Sequence, residues 1–142
     1  MLVAMGIGNP DRRDDRAGLV AARWLRRYSD VDVLVAGVSP EGYAGRIKAL
    51  QPTTLLLIDA VHLGAALGTV RLLTADDLAT RPAWNNHRPP LALLMRYLAA
   101  ETGARVWLAG IQPADTGWGR RLTPAVRDII RKELLAIVRG LA

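Results

Sequence analysis

Apolar runs of strand length alternate along this chain with stretches whose apolar positions recur at helical spacing. Leu2–Ile7 reads as a strand, and Ala17–Tyr28 as a helix on which Val20, Ala21 and Trp24 share a face. Residues 31–38 are strand-like again. A short helix over 42–50 follows and is ended by Pro52. Residues 53–61 form the most hydrophobic strand, with Leu55, Leu56, Leu57 and Ile58 running unbroken up to Asp59. Residues 69–73 and Arg105–Ile111 complete the predicted strands, and residues 80–90, rich in proline and asparagine, read as a loop. Leu91, Leu94, Met95 and Leu98 mark a helix by their i, i+3, i+4, i+7 spacing. The last helix is announced by Thr123 as N-cap and Pro124 in the first turn. Its apolar face comprises Val126, Ile129, Ile130, Leu134, Ile137 and Val138.

The strand–helix–strand–helix–strand order at the start predicts a parallel sheet of α/β class. Continuous apolar strands fit burial on both faces. There is no internal repeat and no linker, and 142 residues suit a single domain over 1–142. Composition changes this picture little: 51% apolar and 23% charged residues are ordinary for a globular protein. The lack of cysteine matters more, because it excludes a thiol nucleophile, a cysteine zinc site and any disulfide. No stretch approaches the roughly 18–20 apolar residues of a membrane span, and no basic segment precedes the first strand. The expectation is a soluble, cytoplasmic protein without a membrane partner.

The formal net charge of +6 raises the question of nucleic acid. The basic pairs Arg12-Arg13, Arg26-Arg27 and Arg120-Arg121 are scattered, however, and there is no Phe and few other aromatics to form a stacking platform. An ordinary basic surface, with no nucleic-acid partner, is the expected outcome.

Gly6-Ile7-Gly8-Asn9-Pro10, where the first strand ends, is a candidate for phosphate chemistry. A dinucleotide fingerprint needs a third glycine where Asp11 stands, and Asp11, Asp14 and Asp15 would repel a pyrophosphate. A glycine turn between strand and helix is the simpler reading. Asp14 and Asp15 lie at a predicted helix start, where a carboxylate caps free N–H groups. Adjacent residues point differently, so one can cap, assigned to Asp14, while Asp15 faces the cleft.

Asp59 ends the most apolar strand, where an unpaired carboxylate would be costly. If the first and third strands are neighbours, Asp15 and Asp59 meet at the switch point of the sheet, where ligands bind. Two carboxylates at one mouth share a proton or hold a metal, although a solvated strand-end Asp is the plain alternative. His62 reads as a surface residue. His87, in the predicted loop, would complete an oxygen, oxygen, nitrogen set suited to nickel or zinc, though a lone loop histidine is more often a bystander. Serine chemistry has little support: Gly37-Val38-Ser39-Pro40-Glu41 lacks the closing glycine of a nucleophile elbow.

Five blocks in register resemble the hydrogenase-maturation endopeptidases. They are Gly6-x-Gly8-Asn9 with Asp14-Asp15-Arg16-Ala17-Gly18, then Ser39-Pro40-Glu41, Leu57-Ile58-Asp59-Ala60, Asn86-His87-Arg88-Pro89-Pro90-Leu91 and Gly110-Ile111-Gln112-Pro113. The last two make the chain most similar to the branch that processes hydrogenase-3-type large subunits. The resemblance implies a twisted, mostly parallel sheet of five strands between helices. It also implies an endopeptidase that removes the C-terminal extension of the [NiFe] hydrogenase large-subunit precursor after nickel insertion. The metal-binding positions carry over as Asp15, Asp59 and His87, with Asp15 shorter than the glutamate common in relatives. Asp15 and Asp59 are then also the candidate catalytic carboxylates, of aspartic or metallo type. The nickel is expected to be that of the precursor, with no permanently bound cofactor, and the protein is expected to be a monomer. The Arg88-Pro89-Pro90 context and the basic charge depart from the family pattern and bear on substrate choice.

Two rival readings remain at this point. Asn9-Pro10 also suits a peptidyl-tRNA hydrolase, but the Arg-His-Asn expected to follow is missing, with Arg13-Asp14-Asp15 nearby. A non-catalytic hydrogenase-assembly binding module is the other.

Overall fold

A computed structural model describes residues 1–81 and 90–142. Among them a five-stranded sheet runs in the order β2-β1-β3-β5-β4. Its strands are β1 (Leu2–Ile7), β2 (Asp32–Gly37), β3 (Thr54–Ala60), β4 (Val70–Leu73) and β5 (Arg105–Ile111). β1 pairs in parallel with β2 and β3, β3 pairs in parallel with β5, and β4 closes one edge antiparallel to β5. The helices are α1 (Ala17–Tyr28), α2 (Ala44–Leu50), α3 (Ala75–Ala79), α4 (Leu91–Thr102) and α5 (Pro124–Leu141). The predicted α/β class and mostly parallel sheet between helices are thus observed.

Successive side chains of a strand point to opposite faces, and here each face has its own core. Val3, Met5, Leu55, Leu57 and Leu108 meet Ile47 of α2, Leu78 of α3 and Leu91, Leu94, Met95 and Leu98 of α4. On the other face Leu2, Ala4, Leu56, Ile58 and Ile111 meet Ala17, Ala21 and Leu25 of α1 and Val126, Ile130, Leu134 and Val138 of α5. Burial on both sides is the reason these strands read as unbroken apolar runs. Each fully buried aliphatic side chain contributes about 1.5–3 kcal/mol.

Three details differ from the sequence reading. The buried residues of α1 are Ala17, Gly18, Leu19, Ala21, Ala22 and Leu25, with Val20 and Trp24 only half-buried. Gly18 is among them because the helix start lies directly against the sheet backbone. α3 falls where no helix was expected; a capping box starts it, Thr74 accepting from Asp77 N–H while the Asp77 side chain accepts from Thr74 N–H. α2 begins as a 3₁₀ turn over Pro40–Tyr43 and stops at Gln51, whose φ of 52° is left-handed.

From β1 the chain goes to β2 on one side and comes back to β3 on the other. The crevice beyond the carboxyl ends of β1 and β3 is therefore the topological switch point, the usual ligand position in such sheets.

Candidate active site

At that crevice the chain leaves β1 through Gly8, Asn9 and Pro10 and makes a 3₁₀ turn over Arg13–Arg16 before α1 begins. Gly8 has φ +151°, and a Cβ there would lie 2.0 Å from the Asp15 carbonyl oxygen. The turn folds back on the strand it has just left, and only glycine fits beneath it. Gly18 serves the same end in the first turn of α1. An added Cβ would sit 2.1 Å from the Ile58 carbonyl oxygen and 2.2 Å from that of Ile7. The helix start thus rests directly on the carboxyl ends of β1 and β3.

This geometry sets the Asp15 turn against the strand that carries Asp59, because the Arg13–Arg16 turn packs on β3. Asp15 is half-buried, and its Oδ2 accepts a hydrogen bond from Asn9 N–H at 3.2 Å. Asp59 is fully buried at the penultimate position of β3, and its Oδ1 accepts from Ala60 N–H at 2.8 Å. His87 lies outside the described residues, as do residues 82–89 of the predicted loop. His62 is exposed, as expected. Two carboxylates set on neighbouring elements at a switch point can activate water, and as hard oxygen donors they can also face a divalent cation.

Asp14 has a different role from the helix cap expected for it. No side chain caps α1 or the 3₁₀ turn before it. Asp14 is instead fully buried and holds the loop leading to α5. Its Oδ1 accepts from Thr123 N–H at 2.7 Å. Its Oδ2 accepts from the Thr123 hydroxyl at 2.6 Å and from the N–H groups of Ala114 and Asp115 at 2.9 and 3.0 Å. Burial alone pushes this carboxyl up, but the Thr123 side chain and the three backbone donors outweigh it and hold Asp14 below the usual carboxylate range. Thr123 does stand at the N-cap of α5, yet its hydroxyl goes to Asp14 and makes no cap bond.

Further ties lace the same two segments together. Arg13 N–H donates to the Gly119 carbonyl at 2.8 Å, Gly119 N–H to Asp11 at 2.8 Å and Asp14 N–H to Asp115 at 2.8 Å. Arg13 adopts a φ of 35°, rare for a side-chain-bearing residue, within this lacing. Arg12 stacks 4.2 Å from the ring centroid of Trp118, which is 69% exposed.

Gln112 braces the crevice from the β5 side. Its buried Oε1 accepts from Leu63 N–H at 2.6 Å and Ala65 N–H at 3.4 Å, while its Nε2 donates to the Pro113 carbonyl at 3.0 Å. The loop that follows Asp59 is thereby fastened to the end of β5. The Gly110-Ile111-Gln112-Pro113 block was visible in the sequence, but its bracing role was not.

Comparison with known proteins bears on what this crevice does. The profile of the HycI hydrogenase maturation proteases matches residues 20–139, a span that includes Asp59 and begins after Asp15. The hydrogenase 3 maturation protease of Escherichia coli is 31% identical over 130 residues, covering 90% of this chain and 83% of its own. The crystal structure of a [NiFe] hydrogenase maturation protease HycI from Thermococcus kodakarensis superposes with a TM-score of 0.86 at 28% identity, over 97% of this chain and 90% of that one. The solution structure of the endopeptidase HycI from Escherichia coli gives 0.78 at 29% identity, over 92% and 85%. Among the described residues no helix is long and apolar enough to cross a membrane. The match spans most of the chain and decides against the peptidyl-tRNA hydrolase reading of Asn9-Pro10: the chain belongs to the HycI hydrogenase maturation protease family.

Proposed function

We propose that this protein removes the C-terminal extension of a [NiFe] hydrogenase large-subunit precursor once nickel has been inserted. The carrying observation is the setting of Asp15 and Asp59 on adjoining elements at the β1/β3 crevice, in a chain of the maturation-protease family. The cut is an endopeptidase step. A water proton passes to the carboxylate of Asp59 or Asp15 while the oxygen adds to the scissile carbonyl, and the carboxyl returns that proton to the departing amine as the C–N bond breaks.

The nickel belongs to the substrate. Asp15, Asp59 and His87 are the residues proposed to face it, so that only a loaded precursor is held with its cut site in the crevice. The buried Asp59, bonded to the Ala60 N–H, suits an active-site carboxylate better than a solvated strand end would. The protein is proposed to act as a cytoplasmic monomer that keeps no metal of its own.

The test is to incubate the purified chain with nickel-loaded and nickel-free precursor and to follow loss of the C-terminal peptide by mass. The loaded form should be cut and the nickel-free form left intact. Asp59→Asn should lower the rate by about 10²–10⁴-fold. Equal cleavage of the two forms would remove the nickel-sensing role. Undiminished cleavage by Asp59→Asn or His87→Ala would remove that residue from the site, and precursor binding without any cleavage would favour a binding module.

A further inference from the structure

Several arginines that the processing reading leaves unused gather in one place. A groove of ≈ 560 Å³ between the start of α1 and the start of α5 is lined by Arg16, Val20, Arg120, Arg121, Leu122 and Arg127. No acidic side chain lines it. Arg120 reaches Asp11 in an exposed pair at 3.2 Å, whereas Arg16, Arg121 and Arg127 have no carboxylate partner among the described residues. Arg16 donates from Nη1 to the Arg120 carbonyl, and its Nε is buried with no hydrogen-bond partner. A partly desolvated guanidinium without counter-charge is costly, and a bound anion offsets that cost. The Arg120-Arg121 pair, one of several scattered pairs in the sequence, is thus part of a four-arginine cluster in space.

We propose that this groove docks an acidic segment of the protein that the chain processes, its carboxylates pairing with Arg121 and Arg127. This rests on the proposed processing role only for the identity of the carrier. The guanidinium fork matches carboxylate geometry, and Val20 and Leu122 offer apolar walls to the methylenes of glutamate side chains. No aromatic side chain lines the groove to stack a base, so a single-stranded nucleic acid is the poorer fit. The groove shares Arg16 with the turn that carries Asp15 and Leu122 with the loop that Asp14 ties down, so it adjoins the turn that forms the crevice.

The test is fluorescence anisotropy of a labelled oligoglutamate titrated with the full chain at about 0.01 M and about 0.15 M ionic strength. The unmodified protein should bind, more weakly at the higher salt. Arg121→Glu with Arg127→Glu should weaken binding by about tenfold or more. Lys48→Glu with Arg105→Glu makes the same charge change on α2 and at the start of β5, and should cost about twofold or less. All four positions are exposed, and thermal melting checks that both variants fold. Equal losses in the two variants overturn the proposal, since overall charge alone would explain them. So does tighter binding of a single-stranded oligonucleotide of equal charge that depends on the same two arginines, and so does absence of binding. The binding is read without cleavage. A protein that binds the peptide but cuts no precursor removes the processing role and keeps the groove, while loss of peptide binding with cleavage intact does the reverse.

Discussion

Replacing Asp14 by Asn keeps the shape of the side chain and removes one acceptor, which makes it a sharp probe of the tie between the Arg13–Arg16 turn and α5. Of the four donors on the carboxylate, one meets Oδ1 and three meet Oδ2. The cheaper orientation of the amide puts its NH₂ against Thr123 N–H and leaves that donor unsatisfied, at about 1–3 kcal/mol. The three surviving bonds lose their ionic character. Charge-assisted bonds are roughly twice as strong as neutral ones, so about 0.5–1 kcal/mol goes with each. A neutral amide is cheaper to bury than a carboxylate, and that offsets part of the loss.

The net expectation is about 2–4 kcal/mol, or a fall of about 10 °C in Tm for a chain of this size. Urea unfolding followed by circular dichroism at neutral pH measures it. The pH dependence adds a second signature. Asp14 is held below the usual carboxylate range in the folded state, so its contribution is complete above the unfolded value of about 3.9 and disappears as pH falls through the lower folded value. The gap between wild type and Asp14→Asn should therefore close in that acid window. A neutral-pH difference below about 0.5 kcal/mol would refute the tie, because the four donors would then be finding other partners.

Two other perturbations test how the crevice is built. Gly18→Ala should destabilise by about 3 kcal/mol or more, since its methyl group meets two backbone carbonyls that cannot turn aside, and a Tm within about 2 °C of wild type would contradict that close approach. Gln112→Ala should cost about 1–3 kcal/mol by orphaning Leu63 N–H, and should raise the amide exchange rate of the loop after Asp59. Unchanged exchange at Leu63 would mean that the brace is not needed.

Elements with continuous or helically spaced apolar residues were readable from the chain. β1, α1 and β5 fall on their predicted ranges, and Leu91, Leu94, Met95 and Leu98 are buried on α4 as their spacing required. On α1 the predicted face of Val20, Ala21 and Trp24 is rotated from the buried one. Gly18 and Ala22 face the sheet because close approach to a backbone selects for lack of side chain, which a hydrophobicity pattern does not register. The five-residue α3 is too short for periodicity, and its Thr74…Asp77 capping box was the available signal. Of the candidate site, Asp59 could be located from its strand alone, and the adjacency of β1 and β3 brought the Asp15 turn to it. The work done by Asp14 was not legible, because its partners lie 100–109 residues away and no local pattern points to them.

The span of those contacts has a consequence for how the protein comes into being. The turn bearing Asp15 is made about a hundred residues before residues 114–123 that fasten it, which follow the whole of β5. During synthesis β1, α1 and β3 can collapse together, yet Asp14 then has no donors and must remain hydrated, holding its turn away from the apolar sheet. Loop closure over a hundred residues comes late because its entropy must be met before the contacts compensate. The crevice thus cannot be tied shut until residues 114–123 exist, and a nascent chain stopped short of Thr123 would present Asp15 and Asp59 without the bonds that hold the turn.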